Sequence, residues 1–321
     1  MSFIEHPDFP AALALAEELA DAAREIARRY FRTPLAVERK GDGSPVTIAD
    51  REIETEMRRM IRAAFPGHAI RGEEFASEGS GEFTWVLDPI DGTKSFVTGY
   101  PLFGSLIALL QGGRAVLGVI EAPALEERWV GCEGRATLFN GRQVRTRDCR
   151  ETEQAVVYTT TAETFDPGER RRFEALSARA ALRRFGGDCY LYGMLAGGHC
   201  DLVIEVQLKP HDFMAAIPVV EGAGGRISDW RGAPLGIASD GRVVAAATEA
   251  GAFTWTEDAT ARLNRVPAGF MRDMTREEIE KAATTKGVTT IDLAVCEEGI
   301  GHARETMNEV IAGYVSNKKP R

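Results

Sequence analysis

The sequence predicts a mixed α/β fold of layered helices and sheets, followed by a small helical appendage. Three observations lead there. Apolar residues recur at helical spacing through the first 65 residues, short apolar runs between Gly-rich turns take over from Phe83, and no such run is convincing beyond Ala250. From Ala11 to Phe31, the residues Leu13, Ala16, Leu19, Ala20, Ala23, Ile26, Ala27 and Tyr30 fall three or four apart with charges between them. That is an amphipathic helix, with Asp8 and Pro10 as start signals. A second helix is expected over Ile48–Ala64, with Ile53, Met57, Met60 and Ile61 on one face and Pro66-Gly67 as its stop, and Lys40–Pro45 before it is a loop by composition. Strands are expected at Trp85–Leu87, Ser105–Leu110, Ala115–Ile120, Arg128–Val130, Ala155–Tyr158, Leu202–Ile204, Arg226–Ser228 and Val243–Ala247. Helices are expected among them near Glu169–Arg179, Asp188–Ala196 and Asp212–Gly222. Past Ala250, Trp255–Leu263, Thr275–Thr285 and Asp292–Ala312 read as three helices, the second opened by a Thr275/Glu278 capping box, and Ser316–Arg321 as a frayed end. The expected domains are therefore 1–250 and 251–321.

Composition excludes several classes. A chain of 321 residues with 44% hydrophobic and 27% charged residues is globular, neither disordered nor a disulfide scaffold. Its net charge of −9 argues against a nucleic-acid partner, which needs a clustered positive surface. Anionic substrates stay open, because a divalent cation held by carboxylates inverts the local charge. The 5 cysteines are scattered, with no CxxC pair, so neither a disulfide framework nor a zinc site is indicated. The Met1–Pro10 segment lacks the basic and apolar regions of a signal peptide, and no apolar stretch is long enough to span a bilayer. A soluble cytoplasmic protein with no membrane partner is expected.

The most informative segment is Trp85-Val86-Leu87-Asp88-Pro89-Ile90-Asp91-Gly92-Thr93-Lys94-Ser95. A bulky strand runs into two carboxylates three residues apart, Pro89 breaks the ladder between them, and Gly92-Thr93 can open a helix. Carboxylates at a strand end are hard ligands for Mg²⁺, and the backbone N–H groups of Gly92 and Thr93 would face a phosphate. Taken alone, an Asp-Pro turn in solvent has the same look. Three further acidic positions share the context: Gly72-Glu73-Glu74, Asp50 at the close of Ser44–Asp50, and Lys209-Pro210-His211-Asp212 before an apolar helix ending in Gly224-Gly225.

Together these motifs, in this order over about Ala11 to Ala247, resemble the inositol monophosphatase superfamily of Mg²⁺-dependent phosphatases. The resemblance implies an α-β-α-β-α layered sandwich and a ligand set. Glu73, Asp88 and the Ile90 carbonyl would hold one Mg²⁺, and Asp88, Asp91 and Asp212 a second, with a third weaker ion near Glu73 and Mn²⁺ as a possible substitute. Thr93, hydrogen-bonded to Asp50, would orient the nucleophilic water and accept its proton, with Glu73 as a further catalytic residue. Lys40 and Asp42 are weaker candidates for the third ion, on a loop that is as readily simply solvated. Glu74 reads as a surface charge, and His211 as a packing residue before Asp212. A homodimer is expected.

Substrate choice turns on Phe185-Gly186-Gly187-Asp188-Cys189-Tyr190 and on Glu205 to Asp212, which are similar to the histidinol-phosphate phosphatases of the superfamily. Asp188 and Glu205 would pair with the cationic groups of histidinol, each bond contributing about 1.5–3 kcal/mol. Asp188 is alternatively a favoured helix N-cap residue after Gly187, and both roles could hold together. The implied activity is hydrolysis of histidinol phosphate in histidine biosynthesis, with an inositol or other sugar phosphate as the alternative. The tail, from about Phe253 to Met307, resembles the small C-terminal helical domain of a light-independent protochlorophyllide reductase subunit. With Cys296 as its one cysteine it carries no cluster-ligand set. It would be a protein-docking module, with the whole chain then a scaffold or regulatory partner, or a passive extension.

Overall fold

Helices α1 (Phe9–Tyr30) and α2 (Ile48–Ala64) form where the periodicity places them and lie against each other in the computed structural model, which describes residues 3–39, 41, 45–149, 151–247, 254–266, 270–286, 288 and 290–316. The buried face of α1 is mostly alanine (Ala12, Ala16, Ala20, Ala23, Ala27), small enough to let the helix sit close on a sheet. Helix α2 starts at a capping box: Thr47 Oγ1 accepts the Ala49 N–H at 3.1 Å, and Asp50 Oδ2 accepts the Thr47 N–H at 2.8 Å. The loop before it is bracketed by a two-residue antiparallel pairing, β1 (Glu38–Arg39) with β2 (Pro45–Val46).

The central sheet has seven strands in sequence order: β3 (Ala69–Gly72), β4 (Phe83–Asp91), β5 (Gly104–Gln111), β6 (Arg114–Ala122), β7 (Glu127–Cys132), β8 (Leu138–Phe139) and β9 (Arg142–Gln143). Strands β3 and β4 pair in parallel, the rest antiparallel. Strand alternation divides the core. On β5, Ile107 and Leu109 join Trp85 and Leu87 of β4 under α1 and α2, while Leu106, Ala108 and Leu110 face the opposite side. That side packs α5 (Tyr190–Ala196) and α7 (Ala216–Gly222) through Leu191, Leu195, Val219 and Val220. Beneath those helices lies a second sheet of five strands, ordered β11 (Leu182–Phe185), β10 (Val156–Thr159), β12 (Leu202–Glu205), β14 (Val243–Ala246), β13 (Arg226–Ser228). Its far face buries Val157 and Ile204 against Phe173 of α4 (Pro167–Ser177). The layers are thus α-β-α-β-α, as expected.

Several elements differ in detail. Strand β3 was not expected, because its four residues, Ala-Ile-Arg-Gly, are too few to show alternation. Edge strand β11 was missed because its burial pattern is exposed throughout. The helix expected from Asp212 is two pieces, α6 (Pro210–Phe213) and α7, and α5 begins after Asp188. Pro89 does interrupt the ladder: pairing of β4 with β5 runs regularly to Asp88 and resumes at Asp91 with a shifted register, a bulge.

The chain divides into two compact units, Met1–Glu249 and Ala250–Arg321. The second unit holds the helices Glu257–Leu263, Phe270–Thr285 and Leu293–Ser316, around Ala259, Leu263, Ile279, Ala283, Ile291 and Cys296. Its middle helix starts five residues before Thr275, so Thr275 and Glu278 lie inside it and form no N-terminal box. Thr254–Trp255 and Thr290–Ile291 make a two-residue parallel ladder that the helix-only expectation lacked. Of the end expected to fray, Ser316–Arg321, Ser316 closes the last helix, while residues 317–321 and the boundary around 248–253 lie outside the described residues.

The two-faced use of β5 is testable. Ile107 is fully buried in the helix-covered core, and Ile107→Ala should cost about 2–5 kcal/mol in urea unfolding. A loss under about 1 kcal/mol would show that this layer is not close-packed.

Candidate active site

The bulge at the end of β4 is the base of the site. Ser105 Oγ donates to the Pro89 carbonyl at 2.6 Å, pinning the irregular segment, and Thr93 Oγ1 donates to the Ile90 carbonyl at 3.0 Å. Gly92 then turns the chain with φ of 80° into the short helix α3 (Thr93–Val97). A side chain at this position would be strained by φ and would also meet Asp188 Oδ2 at 2.9 Å. Asp188 is itself left-handed (φ 47°), at the end of a run in which Gly186 and Gly187 also have positive φ. Its carboxylate accepts Ser95 Oγ–H at 3.0 Å and caps no helix: the N-cap of α5 is Cys189, whose side chain makes no capping bond. The capping alternative is therefore set aside. The neighbouring Cys189 N–H donates to Asp91 Oδ2 at 2.5 Å and fixes that carboxylate.

Asp212 arrives from the other side. Helix α6 packs on β4 and β5 with Phe213 fully buried, and Asp212 Oδ2 accepts the Lys209 N–H at 2.6 Å. Two overlapping clusters result, Glu73–Asp88–His211 and Asp88–Asp91–Asp212, each with one potential ligand atom per residue, all within 4.8 Å of one another. His211, read from sequence as packing, brings a ring nitrogen to the first cluster, and its Nε2 is 3.4 Å from Asp212 Oδ1. The signal for it was only adjacency to Asp212.

Electrostatics match the crowding. Burial, then the charges of Glu73, Asp91 and Asp212, push the Asp88 carboxyl well above its ordinary pKa. Burial, then Asp188 and Asp212, do the same for Asp91, and burial raises Asp212. Asp88 Oδ1 is buried with no hydrogen-bond partner among the described residues. An orphaned buried carboxylate oxygen amid other hard oxygen donors fits a divalent cation, which would meet the unpaired atom and offset the repulsion.

One expected contact is absent. Asp50 Oδ2 is taken by the N–H and Oγ1–H of Thr47, and the Thr93 hydroxyl donates to Ile90, so the two side chains are not hydrogen-bonded to each other. Asp50 is instead the third-residue member of the α2 capping box, accepting from the N-cap residue Thr47; its Oδ1 is buried without a partner among the described residues, and burial raises its pKa, with Glu73 adding to the effect. Lys40 and Asp42 lie outside the described residues. The cleft over the acidic cluster measures about 520 Å³ and is walled by Glu73, Gly92, Thr93, Lys94, Tyr100 and Asp188. A recess of about 200 Å³ adjoins it, sharing Asp91, Asp188 and Asp212 and ending on Tyr192 and Glu205. Burial pushes Glu205 up to about 8, although its carboxylate accepts the Thr160 N–H at 2.6 Å.

Carboxylates converging under a cleft whose wall begins a helix form a donor set suited to divalent cations. The chain belongs to the inositol monophosphatase family, a family of metal-dependent phosphatases: the model described as "Inositol monophosphatase family" matches residues 11–265. Histidinol-phosphatase of Chlorobaculum parvum is 40% identical over 236 residues, covering 73% of this chain and 91% of that protein. The chloroplastic bifunctional phosphatase IMPL2 of Arabidopsis thaliana is 48% identical over 222 residues; the match spans 68% of this chain and 64% of that longer relative. Among solved structures, an inositol monophosphatase from Zymomonas mobilis superposes with a TM-score of 0.70 at 43% identity, covering 76% of this chain and 95% of that one. Residues 255–298 give a weak match to a model described as "Proto-chlorophyllide reductase 57 kD subunit". Among the described residues no helix is long and apolar enough to cross a membrane.

The raised carboxyl pKa values have a sign. Folded, metal-free protein holds protons that the unfolded chain releases, so these groups contribute stability that is lost as pH rises above the ordinary carboxylate range. The gain in Tm on adding saturating Mg²⁺ to chelator-treated protein should therefore grow from about pH 5 to about pH 8, reaching about 5–10 °C. A gain independent of pH would contradict the account.

Proposed function

We infer that this chain hydrolyses the phosphomonoester of a small cationic alcohol, histidinol phosphate, as a step of histidine biosynthesis. The observation that carries the reading is the position of Asp188 and Glu205. Neither is needed to gather the Glu73–Asp88–Asp91–Asp212 cluster, yet both line the space beside it, where the alcohol portion of a bound ester would lie. A bound ammonium or imidazolium would draw both groups into their charged form and pair with them, in bonds stronger than those they could accept from the hydroxyls of a neutral polyol. Relatives named histidinol-phosphatase at 35–40% identity support the same reading.

The cation sites would be held by Glu73, Asp88 and the Ile90 carbonyl, with His211 within reach, and by Asp88, Asp91 and Asp212. When bound, Mg²⁺ or Mn²⁺ ions lower the pKa of water and neutralise charge on the phosphate and the leaving alkoxide. The protein's own groups do the rest. The Gly92 and Thr93 backbone at the start of α3 receives phosphate oxygens. The Thr93 hydroxyl donates its hydrogen bond to the Ile90 carbonyl and so presents its oxygen lone pairs as an acceptor that would orient the attacking water. Glu73 stands as the carboxylate able to take that water's proton, with Asp50 behind it. No side-chain nucleophile is required.

A second reading, hydrolysis of inositol phosphates as well, is favoured by the Arabidopsis relative's description as bifunctional and by the inositol monophosphatase neighbour. The two are separated by measuring kcat/KM on histidinol phosphate and inositol 1-phosphate with Mg²⁺. The first reading expects histidinol phosphate to be preferred at least about 10-fold, and comparable values would establish the second. Asp188→Asn should lower kcat/KM for histidinol phosphate about 10- to 100-fold while a generic aryl phosphate loses far less. Equal losses would make Asp188 part of the scaffold of the site and not a specificity residue.

A further inference from the structure

Glu54 and Arg58 form an ion pair inside the protein that lines neither the cleft nor the recess. Both sit on the inner face of α2, Glu54 at 0% exposure and Arg58 at 4%. Glu54 commits both oxygens. Oε1 accepts Arg58 Nε–H at 2.7 Å and the Phe75 N–H at 3.3 Å, and Oε2 accepts the Glu74 N–H at 2.7 Å. Arg58 donates onward to the Phe75 carbonyl at 3.1 Å and to Glu78 at 2.7 Å. On the other side of Glu73, a Cβ on Gly72 would lie 1.9 Å from Glu54 Oε1 and 2.2 Å from its Cδ. Glu73 is therefore bracketed: the Glu54 carboxylate presses on the residue before it and holds the backbone of the residue after it.

A buried ion pair is a poor device for stability, since desolvation cancels much of the attraction and an apolar pair of similar volume does as well or better. What this pair supplies is direction. It ties the loop that leaves β3 to α2 at three backbone points, and α2 is a long helix whose place is set by the core. We propose that Glu54 and Arg58 are positioning residues that hold the Glu73 carboxylate against Asp88 and thereby set the affinity of that pair for a divalent cation. The requirement for glycine at Gly72 follows from the same contact. The inference rests on the reading of Glu73 as a cation ligand.

The test is Mn²⁺ affinity of the full chain, read from free Mn²⁺ by electron paramagnetic resonance, with turnover not involved. Glu54→Gln and Gly72→Ala, which disturb the contact from its two sides, should each weaken Mn²⁺ binding about 10-fold or more, and Glu73→Gln at least as much. Glu121→Gln is the control. Glu121 is another fully buried glutamate, paired with Arg24 at 2.5 Å and Arg128 at 2.6 Å, away from the cleft. It should lower Tm and leave Mn²⁺ affinity unchanged. If Glu73→Gln weakens binding while Gly72→Ala and Glu54→Gln bind as the parent does, the positioning role is overturned. Equal weakening by Glu121→Gln also overturns it, because loosening anywhere would then suffice. If Glu73→Gln itself binds Mn²⁺ normally, the reading of Glu73 as a ligand fails instead. Should Glu54→Gln not fold, Gly72→Ala alone decides.

Discussion

Mutual repulsion among carboxylates brought together at the end of one strand is the constraint on which the rest of the structure depends. Asp88 and Asp91 share that strand, Glu73 comes from the loop after its parallel neighbour, and Asp212 from the short helix α6 laid across it. Unpaired charges at such spacing cost several kcal/mol at low dielectric, and a fold meets that cost only by holding the groups rigidly and supplying a cation or protons. Burial first, and the neighbouring carboxylates after it, raise the pKa values of Asp88, Asp91 and Asp212.

Each layer contributes one part of that rigidity. The alanine-faced α1 and the leucine and isoleucine alternation of β5 fix the central sheet, and the sheet fixes the bulge. Helix α2 supplies Asp50 at its capped start and the Glu54–Arg58 pair within it, both aimed toward the segment that carries Glu73. The second sheet and α5 set the far wall, where three consecutive left-handed residues turn Asp188 toward Gly92 and Ser95. The wall that carries Asp188 thus comes from backbone geometry that tolerates little change, while the acidic cluster gathers side chains from a strand-end bulge, the loop after β3 and the short helix α6.

What was legible in the sequence was what lies close along the chain. Asp88, Asp91, Gly92 and Thr93 fall in one run, so strand, bulge and helix start were readable together. Asp188 was ambiguous because Asp after Gly187 serves equally as a cap or as a wall; only its positive φ decides, and that depends on what packs over Gly92. Glu54 left no sign, since an acid on a helix is ordinarily solvated and its partner segment lies some 20 residues away. The expected Thr93–Asp50 bond failed for a local reason: each group has a nearer partner, Ile90 for one and Thr47 for the other. In the second unit, the Thr275/Glu278 spacing looked like a helix start but falls within a turn of an existing helix, where the same spacing has no capping meaning.

If crowding is the organising constraint, filling the site with cations must expel protons. Titrating Mg²⁺ into chelator-treated protein in a lightly buffered solution near neutral pH measures this directly, by the base needed to hold the pH constant. The account predicts net proton release on binding, larger near pH 6 than near pH 9, as carboxyls held protonated by burial and repulsion ionise against the metal. Binding without proton release at any of these pH values would mean that the carboxylates are already fully charged in the metal-free fold, and would contradict it.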